Sequence, residues 1–345
     1  MSRRATKNKK AVNLALQGGG AHGAFTWGVL DRLLEDDRLE VEAISGTSAG
    51  AMNAAVVADG LMQDGPDGAR EKLHGFWKAV SDAGRGSPIQ RSPIDVFMGN
   101  WNLDTSPSYI FFDLFSRLAS PYEFNPLNIN PLRDVLESVV DFETVRSCDK
   151  MKVFISATNV ETGRVKVFDR HGLTADMVMA SACLPFLFQA VEIDGAPYWD
   201  GGYMGNPVLF PFYNACTSND VVIVQINPIT RPGTPQTARE ILNRVNEISF
   251  NSSLLKEFRA IDFVARLLED GKLDPKHYNH ILVHRIEAEE EIKPLGASSK
   301  MNAEWDFLMH LFDVGRFATD QWIGANFDDL GKRSTVDIRA MFQGA

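Results

Sequence analysis

Cysteine is scarce: Cys148, Cys183 and Cys216 are the only three in 345 residues. They are odd in number, widely spaced and without a CxxC pair. The spacing therefore offers no zinc or iron–sulfur site and no disulfide framework, and the three read as reduced thiols of a cytosolic protein. Long apolar runs are missing too. No stretch approaches the ~18 uninterrupted apolar residues a spanning helix needs. The run Ala11 to Leu16 is short and leads into glycines without a small-residue cleavage site, so a secretory signal is not expected. Positive charge is in deficit, with 35 Lys and Arg against 45 Asp and Glu and a formal net charge of −10. That balance argues against nucleic acid as a bulk partner. Repeats and low-complexity tracts are absent.

What positive charge there is clusters at the start, in Arg3, Arg4, Lys7, Lys9 and Lys10. Residues 1–10 are expected to form a basic, solvated, disordered arm, a better account than a contact with anionic lipid. The chain as a whole is 44% hydrophobic and 23% charged, an ordinary soluble globular balance, and is long enough for one large domain or two smaller ones.

The opening reads as βαβα. Val12, Leu14 and Leu16 form a short apolar strand, broken by Gln17-Gly18-Gly19-Gly20-Ala21-His22-Gly23. Beyond it Phe25, Val29, Leu30, Leu33 and Leu34 fall on one helical face. Val41 to Ser45 predict a second strand, Gly46-Thr47-Ser48-Ala49-Gly50 a turn, and Ala51 to Ala58 a small-residue helix. Strands alternating with helices imply a parallel sheet with helical crossovers. Further strands are predicted at Lys152 to Ala157, Val165 to Phe168, Val221 to Ile226 and His280 to Ile286, with a hairpin turning at Asp194-Gly195. Helices are predicted over Ala175 to Cys183, Thr237 to Glu269 and Asn302 to Asp329. The expected division is a first α/β domain over 11–228 and a mostly helical C-terminal region over 236–345. That region is either a second module or helices laid against the first. Within the first domain, about 81–131 is an aromatic-rich insertion punctuated by Pro and Asn. It either covers or lines something apolar, with Trp101, Phe111, Phe112 and Phe115 among its aromatics, or is ordinary core under a long loop.

Gly18, Gly20 and Gly23 satisfy GxGxxG between a strand and a helix, with Glu40 or Glu42 roughly 20 residues on, where a dinucleotide site has its ribose acid. The physics supports a wider statement: such a turn exposes N–H groups that stabilise any negative charge, a pyrophosphate or an oxyanion. Gly46-Thr47-Ser48-Ala49-Gly50 separates these readings. It is GxSxG between a predicted strand and a helix, the geometry of a nucleophile elbow, and a dinucleotide domain has no need of it there. A serine nucleophile needs a base. Asp200, in Tyr198-Trp199-Asp200-Gly201-Gly202, is the candidate, although Asp-Gly-Gly is also a common turn. A free aspartate titrates near 3.9, so it would need desolvation or a hydrogen bond to the serine. His277, His280, His284 and His310 follow Asp200 and permit a Ser-Asp-His triad order, but none stands in a glycine-framed loop.

Taken in order, Gly18 to Gly23, Gly46 to Gly50 and Asp200 to Gly202 resemble the glycine-rich oxyanion loop, serine elbow and Asp-Gly-Gly/Ala box of patatin-like phospholipases. Ala180 to Pro185 and Asp194-Gly195 are similar to that family's approach to its aspartate, and the resemblance covers about residues 11–226. It implies a three-layer α/β/α fold and a Ser48–Asp200 dyad without histidine. It also implies an oxyanion hole at Gly18, Gly19 and Gly20, supported by His22, Gly23, Gly46, Gly50, Gly201 and Gly202. The implied activity is hydrolysis of lipid acyl esters through an acyl-serine, with no metal and no other cofactor. The implied partner is a lipid substrate, with peripheral membrane contact and no nucleic acid; oligomeric state is left open. Two positions depart from the pattern. His22 stands where many members carry Arg or Lys, which would replace a fixed charge by a titratable one, and Gln17 replaces an acid. The alternatives are a non-enzymatic lipid-binding or regulatory protein that keeps the fold, and a triad esterase.

Overall fold

The structure is a computed structural model that describes residues 9–116 and 118–344. Arg3, Arg4 and Lys7 of the basic arm lie outside these residues. Lys10 opens the first strand, and its ammonium donates to the carbonyls of Phe327 (2.7 Å) and Leu330 (3.0 Å).

The strands are β1 (Lys10–Leu16), β2 (Leu39–Gly46), β3 (Lys152–Asn159), β4 (Val165–Asp169), β5 (Val191–Ile193), β6 (Ala196–Asp200), β7 (Asp220–Val224) and β8 (Leu282–Ile286). They form one sheet in the order β5-β6-β3-β2-β1-β7-β8, with β4 also paired to β3. The five strands from β3 to β8 in that order run parallel, while β4, β5 and β6 are antiparallel at one margin. The β5–β6 turn places Asp194 and Gly195 at φ 52 and 77. Two successive positive values suit the twist of a tight hairpin, which is why an Asp-Gly pair marks it.

Helices α1 (Gly23–Glu35) and α2 (Ala49–Gly84) follow β1 and β2. The connection to β3 carries α3 (Pro93–Phe97), α4 (Pro107–Ser116), α5 (Pro121–Phe124), α6 (Pro131–Val139) and α7 (Phe142–Ser147). Then come α8 (Ala175–Ser181), α9 (Phe210–Ala215), α10 (Ala238–Glu269), α11 (Glu289–Ile292), α12 (Trp305–Asn326) and α13 (Ile338–Gln343). Helix α2 runs well past Ala58, kinked at Asp64 and Gly65 just before Pro66. Four of the six prolines that make 81–131 look irregular open helices: α3, α4, α5 and α6 each begin on one, where its missing N–H costs nothing.

Strand alternation sorts the core into two layers. Val12, Leu14, Leu16, Val222 and Val224 face a cluster with α1, α2 and α12. Ala15, Val221, Ile223 and Val283 face another with Phe212 of α9 and Leu254 and Phe258 of α10. Helices therefore cover both faces, which explains the continuous apolar run of β7. The result is a three-layer α/β/α fold with a mainly parallel sheet. Residues after 235 are built into it: β8 extends the sheet beside β7, and α12 crosses α1 so closely that a Cβ on Gly28 or Gly315 would strike the facing backbone.

Candidate active site

The register aligns Leu16 of β1 with Gly46 of β2 and with Val224 of β7, so the turns leaving these strands lie side by side. Chain order reverses at β1, with β2 on one side and β7 on the other. In open parallel sheets that reversal opens a crevice beyond the carboxyl ends of the strands. Gly18, Ser48 and Asn227 meet there.

Ser48 sits between β2 and α2 at φ 54 and ψ −121, a conformation that a non-glycine residue holds only when its surroundings fix it. The surroundings do. Its N–H donates to Ser181 Oγ at 2.9 Å, and the Thr47 hydroxyl bonds Ser156 Oγ (2.6 Å) and the Gly205 carbonyl (2.7 Å). A Cβ on Gly46 would fall on the Gly50 carbonyl, and one on Gly50 on the carbonyl of Leu16. The two outer residues of the GxSxG turn are thus glycines because backbone occupies the space. Gly23 is closed in by Ala49 and Trp77, and Asn53 donates to its carbonyl at 3.0 Å.

Asp200 ends β6 and is buried. Its N–H donates to the Cys183 carbonyl (2.8 Å), and the Gly202 N–H donates to its Oδ1 (2.7 Å). Gly201 is pressed on the Ser156 carbonyl and Gly202 on the Phe250 ring, so both glycines of the box are steric requirements. Burial raises the Asp200 pKa from the ordinary 3.8 to about 7; the Gly202 amide, the Ser48 hydroxyl and the charge of Lys300 oppose that rise. Burial, and then the nearby Asp200 charge, push the Cys183 thiol up to about 12.

The glycine loop corrects one expectation. The Gly18 N–H donates to Asn206 Oδ1 at 2.6 Å and its carbonyl accepts from Asn227 Nδ2 at 2.8 Å, so Gly18 is a fixed joint with no amide to spare for an oxyanion. A Cβ there would also lie 2.7 Å from that of Ser48. The N–H groups of Gly19 and Gly20 have no acceptor among the described residues, and neither has that of Ala49, the first amide of α2. Ala49 was missed, although the elbow pattern itself puts the residue after the serine at a helix N-terminus. Gln17 also finds a role: its carbonyl oxygen accepts from the amides of Ile226 (3.0 Å) and Asn227 (2.9 Å), joining the ends of β1 and β7.

His22 corrects a second expectation. It is buried, with Nε2 on Ser299 Oγ at 2.8 Å and no partner for Nδ1 among the described residues. Burial, and then the charges of Lys300 and Arg231, hold its pKa well below 6.5, so it is neutral at neutral pH and does not replace the family's cation. A basic side chain does reach this loop in Lys300, whose own pKa burial lowers; its Nζ donates to Asn227 Oδ1 at 2.8 Å and its carbonyl lies against Gly20, itself at φ 58. Nothing in the sequence around Lys300 marks it; only the fold brings it here.

The competing readings lose their residues. His284 is bonded to Asp220 Oδ1 (2.9 Å) and Thr335 Oγ1 (3.1 Å), and Asp220 stands at the start of β7, the opposite end from Ser48. His277 and His280 are exposed, and His310 stacks on Trp101. Glu40 is exposed. Glu42 binds Lys152 and the amides of Thr217 and Ser218 in spite of its partial burial, which together hold it at about 2. It is a clamp between strands, not a ribose ligand.

The four insertion aromatics divide. Trp101 is wedged against Phe307, His310 and the guanidinium of Arg91, packed on the main core. Phe111 and Phe115 stack on each other in α4, both exposed, with Phe112 half-buried.

Comparison with known proteins agrees with the geometry. The sequence matches the Patatin-like phospholipase family over residues 14–213. The lysophospholipase nte1 of Aspergillus terreus is 25% identical over 278 residues, which cover 77% of this chain but only 16% of that protein. Among solved structures, VipD from Legionella pneumophila aligns with a TM-score of 0.34 and 14% identity over 89% of this chain and 67% of that one. Full-length ExoU of Pseudomonas aeruginosa, in complex with SpcU, aligns with a TM-score of 0.34 and 13% identity over 93% and 54%. At scores this low, membership rests on the sequence match.

Proposed function

The chain belongs to the patatin-like phospholipase family, and on that premise we propose that it hydrolyses lipid acyl esters with Ser48 as nucleophile and Asp200 as base. The observation that carries this reading is the pair itself: a serine held at φ 54 beside a buried carboxyl whose pKa is raised to about 7. A base works best when its pKa lies near the working pH, and desolvation supplies that here without a histidine.

The Asp200 carboxylate takes the proton of Ser48 as Oγ attacks the acyl carbon. The carbonyl oxygen, now negative, faces the N–H groups of Gly19, Gly20 and Ala49 at the N-terminus of α2. Protonated Asp200 then gives its proton to the departing alcohol oxygen, leaving an acyl-serine. Water attacks that ester while losing a proton to Asp200, and collapse returns the proton to Ser48 Oγ and frees the fatty acid. The reaction is of the phospholipase A, lysophospholipase or esterase type, and no step needs a metal. Phe111, Phe112 and Phe115 supply apolar surface for the acyl chain as a pocket or lid; Trp101 takes no part, being engaged by the core.

The test is hydrolysis of a p-nitrophenyl ester chain-length series and of a labelled phospholipid by wild type, Ser48→Ala and Asp200→Asn. Both variants should lose roughly 10⁴ or more in kcat. An Asp200→Asn protein that keeps most of its activity would mean the base is another group. A wild type inert on every ester would favour a lipid-binding protein without turnover. In wild type, kcat/KM should rise with pH and level off above about 7, because Asp200 must be ionised to accept the proton.

A further inference from the structure

The stretch from α3 to the start of α6 leaves an unusual amount of apolar side chain in the open. Phe97 is 88% exposed, Leu127 81%, Leu118 79%, Ile94 73%, Met98 71% and Phe111 69%. Isolated exposed apolar residues are ordinary, but a run of this density in one segment marks an interaction surface. Its position says where it acts, because both roots of the segment are tied to the walls of the Ser48 site. At one root the Leu103 N–H donates to Ser298 Oγ (3.1 Å), the Gly296 N–H donates to Asn102 Oδ1 (2.7 Å), and Asn302 Nδ2 donates to the Trp101 carbonyl (3.0 Å). The neighbouring Ser299 and Lys300 are the residues that bear on His22 and Gly20. At the other root Gln189 Nε2 donates to the Asn125 carbonyl (2.8 Å) and the Ala190 N–H to the Tyr122 hydroxyl (3.2 Å). Gln189 in turn accepts from Cys183 Sγ (3.0 Å), and the Cys183 carbonyl holds Asp200. Hydrogen bonds therefore tether the segment to residues beside the oxyanion loop on one side and to those that hold Asp200 on the other.

Charge identifies the occupant. Residues 94–129 contain Asp95, Asp104, Asp113 and Glu123 against a single basic residue, Arg117, and no lysine. A surface that docks on anionic lipid carries Lys and Arg around its apolar centre, each contributing about 1 kcal/mol near the headgroups. This one has no lysine and a single arginine to offer. We propose that the 94–129 face docks the protein on an electroneutral lipid surface, one of zwitterionic or uncharged headgroups, and so brings the mouth of the Ser48 site onto it. The proposal rests on the lipid hydrolase reading of that site, and names the physical form and charge of its substrate.

The experiment separates docking from turnover. Full-length Ser48→Ala protein is sedimented with phosphatidylcholine vesicles, alone or with phosphatidylglycerol added, and compared with the same protein carrying Phe97→Ser, Leu118→Ser and Leu127→Ser. The three sites are solvent-exposed, and an unchanged thermal melt establishes that the variant folds. Partition onto phosphatidylcholine should fall tenfold or more in the triple variant. Added phosphatidylglycerol should weaken binding of the parent, and raised salt should not weaken binding to phosphatidylcholine. With Ser48 intact, the triple variant should hydrolyse a short, water-soluble ester as wild type does while losing activity on vesicle lipid. Equal partition of parent and triple variant would overturn the proposal, as would a preference for the anionic vesicles. A dimer of the parent in sedimentation velocity that the triple variant lacks would overturn it in favour of a second copy of this chain. If the Ser48→Ala protein binds vesicles but wild type cleaves no ester, the hydrolase reading fails and the docking surface stands.

Discussion

In the turns that leave β1 and β2, added methyl groups would strike backbone, whereas between α3 and α6 large apolar side chains stand in water. Gly18, Gly46 and Gly50 are hemmed in by Ser48, the Gly50 carbonyl and the Leu16 carbonyl; Phe97 and Leu127 are hemmed in by nothing comparable. The two regions serve different needs. Attack on an ester needs oxygen atoms and amides placed to a fraction of an ångström, and a parallel sheet whose strand ends are in register provides that frame. Contact with a fluid lipid surface needs apolar area and has little use for fixed geometry, so short proline-started helices tied down at their roots suffice. The prediction that strikes stability and activity together tests the first half of this contrast. Gly50→Ala forces a Cβ onto the Leu16 carbonyl and should cost about 3 kcal/mol of stability with loss of esterase activity, read by urea denaturation.

The second effect belongs to the base. Its folded pKa of about 7 lies above the ordinary 3.8, so ionising Asp200 penalises the fold. Its favourable contribution is whole below about pH 4, declines as pH rises, and is fully lost once pH passes the folded value. The difference corresponds to about 4 kcal/mol. Asp200→Asn should therefore be inactive yet more stable than wild type at pH 8, by up to that amount, with the gap closing towards pH 4 in thermal melts. A variant no more stable at pH 8 than wild type would show that the carboxylate is better solvated than its burial implies.

How much of this was legible beforehand follows from where each interaction lies along the chain. The elbow, the Asp-Gly-Gly box and the glycine loop are contiguous patterns, each spelled in glycines whose packed neighbours leave no room for a side chain. Strand and helix order was legible for the same reason, down to the Asp194-Gly195 turn. Most of what was not legible is long-range. That Asn206 would take the Gly18 amide, and that His22 would be buried against Ser299, depend on contacts between residues 188 and 277 positions apart. Lys300 entered the site from a region whose purpose was open in the sequence, and that β8 would join the same sheet is likewise a matter of packing. The insertion looked irregular because periodicity is read over two or three turns, and α3 and α5 are too short to show it.

Lys300 sharpens the comparison from the site's side, since it is a cation delivered by the segment that also anchors the insertion. Its charge lowers the Asp200 pKa. Lys300→Met should raise that pKa, move the acid limb of kcat/KM to higher pH and cut activity up to about tenfold at pH 6, with little change on the alkaline plateau. Lys300→Arg should restore the limb. A uniform loss at all pH values in both variants would instead indicate damage to the loop that Lys300 packs on.

The smallest effect tests whether the exposed aromatics touch the acyl chain as well as the surrounding lipid. Phe111 and Phe112 lie in α4, one exposed and the other half-buried, so truncating them leaves only a small cavity and little cost in stability. If they line the acyl path, each methylene of substrate loses part of its apolar contact, and the loss accumulates with chain length. Phe111→Ala with Phe112→Ala should then reduce the long-chain to short-chain ratio of kcat/KM several-fold on monomeric p-nitrophenyl esters, where no lipid surface is present. An unchanged ratio, together with weaker vesicle binding, would assign both rings to docking alone and leave the acyl chain to the walls nearer Ser48.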